Sequence, residues 1–291
     1  MTAKKRRSKR PALLSHSRPR ITKQAAIPSL SSKATRNIIR SHHQLLKAQE
    51  AALARKDLSL VEKIDKEIAA NGGLESYQLA SKTGQSLERG GDSSVVFLDW
   101  IRPTLKQLEK SSQRLKLLEV GALSTKNACS RNPFIDITRI DLNSQEPGIL
   151  QQDFMKRPFP KDKHDYFHAI SLSLVLNFVP NVVGRGEMLK RCSSFLTSDL
   201  PSITNFTPYL FLVLPAACVS NSRYFSRERL LDIMSSLGYI QLQEKITNKL
   251  IYQLWEYHAD LYRMVTFRKE ELNPGKTRNN FTVILNDNNA N

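Results

Sequence analysis

The chain has 291 residues, 40% of them hydrophobic, and a formal net charge of +17. That apolar fraction excludes a wholly disordered protein, and the length suits one catalytic domain with an appendage or two small domains. The charge is concentrated: residues 1–56 hold fifteen Lys/Arg and one acid, Glu50 (+14), whereas the remainder holds twenty-nine against twenty-six (+3).

Residues 1 to about 40 are basic and polar, broken by Pro11, Pro19 and Pro28, and read as a disordered arm. The run Lys4-Lys5-Arg6-Arg7-Ser8-Lys9-Arg10 has the density of a nuclear or nucleolar import signal. The same arm would gather RNA phosphates by counterion release; a solubilising tail or a mitochondrial transit peptide are the alternatives. No apolar core follows these charges, which argues against a secretory signal, and no run reaches the roughly 18 apolar residues of a membrane span. Neither a membrane nor a second copy of the chain is an expected partner.

Ser41-His42-His43-Gln44 has the form of a capping box and predicts a helix through about Lys56. Ser59-Leu60-Val61-Glu62 repeats the form. Val61, Ile64 and Ile68 share one face of the helix it opens, Lys63 and Glu67 lie on another, and Asn71-Gly72-Gly73 ends it. The two helices read as a hairpin. Residues 74–95 are Gly/Ser-rich and read as a loop; Val95 to Lys110 reads as a helix that Pro103 kinks or begins. The boundaries that follow are 1–40 for the arm, 41–110 for an N-terminal helical segment and 111–291 for an α/β domain.

From Leu115 short apolar runs alternate with helical or loop stretches. The predicted strands are Leu115–Val120, Ile135–Ile140, Ile149–Asp153, Tyr166–Ser171, Tyr209–Leu214, Gln241–Ile246 or Leu250–Trp255, and Phe281–Leu285. Helices fill Arg185–Leu196 and Ser226–Leu237, the second closed by Gly238. This alternation predicts an α/β fold with a mostly parallel sheet.

Within it, Leu117-Leu118-Glu119-Val120-Gly121 runs a buried strand into a glycine, and about 20 residues on Asp141 ends the next strand. In a doubly wound sheet both tips open at the carboxyl edge, where ligands bind. A glycine lets the backbone approach a ligand, and the acid can accept from ribose hydroxyls. A dinucleotide would need the full GxGxxG turn, but Leu123 replaces the second glycine and Lys126 the third. A phosphate-free adenosine cofactor, S-adenosylmethionine, fits the truncated loop. Glu119 is placed to anchor the loop or the cofactor's ammonium. Asp153 is placed to accept from adenine N6 and Phe154 to face the ring, and Ser171 opens the fourth strand tip, which runs on to Pro180. Each residue alone has a blander reading: a turn for Gly121, a helix cap for Asp141, a surface acid for Asp153, core for Phe154 and Phe178. Their order and spacing carry the assignment. Cys129, Cys192 and Cys218 are scattered and unpaired in sequence, which points away from a metal site or a disulfide framework.

The runs LLEVGALS (117–124), IDLNS (140–144), QQDFMKRPFP (151–160), SLSLVLNFVP (171–180), RGEML (185–189) and LFLVLPAACVSNSRYFS (210–226) resemble the fungal 25S ribosomal RNA adenine-N1 methyltransferase family, as do GGLESYQLAS (72–81) and RGGDSS (89–94). The resemblance covers roughly residues 40–285. It implies a class I Rossmann-like methyltransferase sheet carrying the helical segment and arm, S-adenosylmethionine contacts at Gly121 and Asp141, and 1-methyladenosine formation in large-subunit rRNA or a pre-ribosomal particle, in the nucleolus. An animal relative of the family is an S-adenosylmethionine sensor acting on a signalling complex, and a non-catalytic sensor is the rival reading. Adenine N1 needs no deprotonation, so no catalytic residue is assigned. His164 and His168 read as structural, Asn177 as a residue that orients the exocyclic amine, and Phe178 or Tyr224 as a stacking platform.

Overall fold

A computed structural model describes residues 31–84, 91–111, 113–144, 146–263 and 265–286, so most of the basic arm lies outside the described residues. Helix α1 spans Ser32–Ala54 and begins nine residues before the box at Ser41, because Ser31 already caps it by accepting from Ala34 N at 3.1 Å. Helix α2 (Leu58–Ala70) is capped by Asp57, whose Oδ1 accepts from Leu60 N, and not by Ser59. Gly72 follows at φ +83°, where a Cβ would meet Ser76 Oγ at 2.0 Å. The chain then enters α3 (Gly73–Gly84), so the first half of the expected loop is helical. Local composition argues against a helix there. Packing on α1, and burial of Gln78 and Ala80, override it.

The predicted helix at 95–110 is two: α4 (Ser94–Trp100) and α5 (Arg102–Leu108). Pro103 both breaks and begins, since it lacks an N–H and sits in the first turn of α5, where none is needed.

Seven strands follow: β1 (Leu115–Val120), β2 (Ile135–Asp141), β3 (Leu150–Gln151), β4 (Ala169–Ser173), β5 (Tyr209–Pro215), β6 (Tyr239–Ile246) and β7 (Leu250–Tyr257). Their order is β3-β2-β1-β4-β5-β7-β6. Strands β1 to β5 are parallel, and β7 runs antiparallel to both β5 and β6. The two sequence alternatives at 241–255 are thus both strands, paired as a hairpin. A doubly wound sheet with one reversed strand near its edge is the class I methyltransferase arrangement. β3 is shorter than expected, and Asp153 falls outside it.

Period-2 alternation divides the core between two faces. Leu118, Val120, Ile170, Leu172, Leu210 and Leu212 meet α6 (Val182–Ser193) and α8 (Arg227–Ser236). Leu115, Leu117, Ala169, Phe211 and Val213 meet α4 and α5. Residues 281–285, expected as a strand, do not join the sheet; the β6–β7 hairpin fills that edge. They make a single bridge, Leu285 to Phe267, and bury Phe281, Val283 and Leu285 beside α6. Alternating apolar residues recorded a buried face without saying which element covers it.

This segment lies directly on Gly186 of α6, where a Cβ would stand 1.9 Å from the Ile284 carbonyl oxygen and 2.8 Å from Leu285 Cδ2. Backbone cannot yield as a flexible side chain can. Gly186→Ala is therefore expected to lose roughly 1–3 kcal/mol, the range of core overpacking, despite its higher helix propensity. Urea unfolding with an unchanged midpoint would show that the segment does not pack there.

Candidate active site

The strand order reverses between β1 and β4, so the carboxyl ends of these two strands flank a crevice. β1 leaves the sheet at Gly121, which has φ +73°. Gly121 N and Ala122 N both donate to the Ile140 carbonyl, at 2.8 and 3.1 Å. A Cβ on Gly121 would stand 2.6 Å from Val175 Cγ2, so the conformation and the close approach both require glycine. Val175 is held there by Leu174, a non-glycine residue at φ +59° whose N–H donates to Val213 O. Asp141 ends β2 and accepts from Asn143 N at 2.8 Å, while its own carbonyl accepts from Gln152 N. The tips of β1, β2 and β3 are thereby laced together.

Glu119 lies one pleat below, on the α4 face, opposite Arg139 on β2 and Ser171 on β4. Its carboxylate accepts from Asn127 Nδ2 at 2.8 and 3.0 Å and stands 3.9 Å from Arg139 Nε. Burial pushes its pKa up to about 7, against the downward pull of Asn127 and Arg139, with Asp92 adding to the rise. Asn127 Oδ1 in turn accepts from Ser130 N and Oγ, so Glu119 holds the loop after Gly121 from beneath. Asp92 holds it from the side: it accepts from Ala128 N at 2.5 Å and from Ser94 N and Oγ. Ser93 Oγ reaches Ser173 Oγ at 2.8 Å across the tip of β4. Asp92 and Ser93 were not among the predicted site residues; only their place in the family-like run 89–94 pointed to them.

The remaining predicted residues are placed differently. Ser171 is buried within β4. Asp153 caps a short 3-10 turn, accepting from Met155 N at 2.8 Å. Phe154 is enclosed in the core, 3% exposed, against Phe195 at 5.5 Å, with Arg191 near its ring. It offers no open face to a base, because it is packed in the same core cluster as Phe167, Cys192 and Phe195. His168 is satisfied on both nitrogens, by Lys116 N at 2.9 Å and Asp199 O at 3.0 Å, as a structural histidine. Tyr224 faces Lys269, whose Nζ is 4.3 Å from its ring centroid. Among the described residues no group of three or more His, Cys, Asp or Glu could hold a metal ion, and no helix is long and apolar enough to cross a membrane.

The N-terminal helices reach this edge. Gln78 of α3 exchanges two hydrogen bonds with Asn143, at 2.6 and 3.0 Å. Tyr77 beside it is pushed up to about 12 by burial and by the charge of Asp141. Tyr77 packs edge-on to Phe178 at 5.7 Å, and His43 of α1 stacks on Phe178 at 4.3 Å and 22°. His42 stacks on Tyr77 at 4.7 Å. The sequence marked His42-His43 only as part of a cap, since nothing local signals that α1 folds back over the sheet. Below them Arg185 of α6 is 1% exposed and donates to the carbonyls of Val179 at 2.8 Å and Thr282 at 2.7 Å.

His43 is pulled down to about 4, first by burial, then by His42 and Lys47 on α1 and Arg185 on α6; Tyr77 on α3 is the remaining titratable neighbour. The docked helix therefore holds a proton at His43 more weakly than a released one, whose ordinary value is 6.5. Docking is at full strength above that value and weakens as pH falls toward 4. Hydrogen-exchange protection of α1 is expected to drop between pH 7.5 and 5 in the wild type and to drop less in His43→Phe, where only His42, also lowered by burial, still resists protonation. Equal pH dependence in both proteins would remove His43 as the source.

Residues 62–283 match the family described as 25S rRNA (adenine(2142)-N(1))-methyltransferase, Bmt2. A Schizosaccharomyces pombe protein named 25S rRNA adenine-N(1) methyltransferase is 37% identical over 249 residues, 84% of this chain and 89% of that protein. The Saccharomyces cerevisiae 25S rRNA (adenine(2142)-N(1))-methyltransferase is 39% identical over 249 residues, 84% of this chain and 70% of that protein. A solved Synechocystis PCC 6803 magnesium protoporphyrin IX methyltransferase with bound SAM aligns with a TM-score of 0.38 and 10% identity, covering 57% of this chain and 82% of that one. By the extent of the family match and the identity of both yeast relatives, this chain belongs to the 25S rRNA (adenine-N1) methyltransferase family.

Proposed function

We propose that this protein is an S-adenosylmethionine-dependent methyltransferase that methylates N1 of an adenine in large-subunit rRNA, acting in the nucleolus during ribosome assembly. The observation that carries the reading is family membership across residues 62–283 together with the names of the two yeast relatives. The carboxyl edge supports it. Gly121 turns out of β1 at φ +73° and leaves bare backbone at the crevice, and Asp141 stands at the neighbouring tip. With no second glycine in the loop, this fits an adenosine ligand without phosphates. Gly121 and Asp141 would hold the cofactor, Glu119 and Asp92 would hold the loop, and bound S-adenosylmethionine supplies a methyl group on a sulfonium.

Adenine N1 carries an in-plane lone pair, so no side chain has to remove a proton before attack, and the chain's contribution is alignment. N1 also lies on the pairing edge, so the target base is taken unpaired or flipped out. The rRNA from cells with and without the protein is expected to differ in 1-methyladenosine by nucleoside mass spectrometry and in one reverse-transcription stop. Asp141→Ala and Gly121→Arg are expected to abolish S-adenosylmethionine binding in calorimetry and to remove that stop. Identical rRNA in both strains would leave the sensor reading in its place.

Residues 2–30 hold nine Lys/Arg and no acid. Their deletion is expected to weaken RNA binding and flatten its salt dependence, by about 0.9 in log–log slope for each phosphate no longer neutralised, while leaving cofactor affinity unchanged. An unchanged slope would assign the arm to nuclear import alone.

A further inference from the structure

The ring stacked on Phe178 belongs to α1, while Phe178 itself belongs to the exit of β4. Three residues upstream of it, Val175 rests on Gly121; edge-on to it, Tyr77 stands beside Asp141. Phe178 therefore sits between the β4 exit, which Val175 sets against Gly121, and Tyr77, which feels the charge of Asp141. Two polar atoms, His43 Nε2 in this cluster and Asn177 Oδ1 on the residue just before Phe178, are buried without a hydrogen-bond partner. A cluster built only to pack α1 on the sheet has no use for an imidazole and an amide left unsatisfied.

We propose that Phe178 and Asn177 form the slot for the acceptor adenine, and that His43 occupies the base's stacking position in the substrate-free protein. This rests on the rRNA adenine reading above and adds to it a placeholder. An imidazole is the five-membered half of a purine, and it lies on Phe178 in the stacked geometry a base adopts. At 4.3 Å between centroids nothing can enter between the two rings, so His43 must leave before a base arrives. Asn177 Oδ1 is an acceptor awaiting a donor, which matches the exocyclic amine of adenine and not the O6 of guanine. RNA itself can draw α1 away: Lys33, Arg36, Arg40 and Lys47 are exposed and recur along one face of α1, where they can take phosphates. Arg185 and Lys47, which disfavour a charged His43, also disfavour the cationic 1-methyladenine and so favour release of product.

The test is steady-state methylation of a large-subunit rRNA fragment by the full-length protein. If the slot is vacant in about a tenth of substrate-free molecules, His43→Ala lowers the RNA KM about tenfold, because the apparent affinity scales with the competent fraction. His43→Phe, which keeps a stacked ring, leaves KM at or above the wild-type value. Asn177→Ala loses about tenfold in kcat/KM, the equivalent of one hydrogen bond. Calorimetric S-adenosylmethionine affinity unchanged in His43→Ala shows that this variant folds. A KM that is unchanged or raised in His43→Ala overturns the placeholder. A second readout is independent of turnover. A fragment carrying 2-aminopurine at the acceptor position, which lacks the C6 amine and so reports stacking on Phe178 alone, is expected to be quenched more strongly by His43→Ala than by wild type, and not by Phe178→Ala. Quenching that persists in Phe178→Ala overturns the slot. Wild-type protein that quenches the probe but transfers no methyl would instead count against the proposed function.

Discussion

The approach of Val175 to the backbone of Gly121 organises the whole carboxyl edge. Gly121 turns out of β1 in a left-handed conformation, and the Val175 side chain takes the space a Cβ would need. That contact places residues 174–178 across the tip of β1 instead of along β4. It is reached through Leu174, whose own left-handed φ costs about 1–2 kcal/mol. The surrounding structure holds this strain: the Leu174 amide is tied to β5, and Phe178 N donates back to the Val175 carbonyl at 2.8 Å. The same turn carries the chain on to Asn177 and Phe178.

Charge is arranged around this edge in two separate layers. On the α4 face, Glu119, its pKa raised by burial, directs its lone pairs to Asn127, so the loop after Gly121 is fixed through hydrogen bonds. On the α6 face, Arg185 has no carboxylate within ion-pair distance among the described residues; backbone carbonyls at 179 and 282 satisfy it, and its guanidinium lies over Phe281 at 4.5 Å. A buried guanidinium held by carbonyls joins two chain segments that no sheet hydrogen bond connects. Its charge adds, after burial, His42 and Lys47, to what pulls the His43 pKa down.

Helices α1, α2 and α3 belong physically to this edge, whereas α4 and α5 are part of the core on one sheet face. The first three pack on one another, yet Gln78 meets Asn143, Tyr77 meets Phe178, and His43 stacks on the same ring. These contacts are polar or aromatic and few in number, in contrast to the continuous apolar cores on the two faces of the sheet. A segment held in this way can release without unfolding the domain beneath it.

The sequence by itself determined β1, β2, β5 and the parallel α/β class, because period-2 burial and a glycine at the β1 exit are local signals that survive in any context. It also placed Gly121 and Asp141 at adjacent tips, since their spacing is that of one strand crossover. It did not determine α3, whose Gly/Ser-rich composition reads as loop until α1 and Asn143 supply partners. Nor did it determine the course of 281–285, where alternation marks burial but not the covering element. Phe154 looked like a platform because aromatic residues follow strands in both cores and sites; only its packing with Phe167, Cys192 and Phe195 decides which. His43 was legible only as part of a helix cap. Its role depends on α1 folding back across the sheet onto Phe178, and a contact between residues so distant in sequence arises from packing of whole elements, which only the tertiary structure decides.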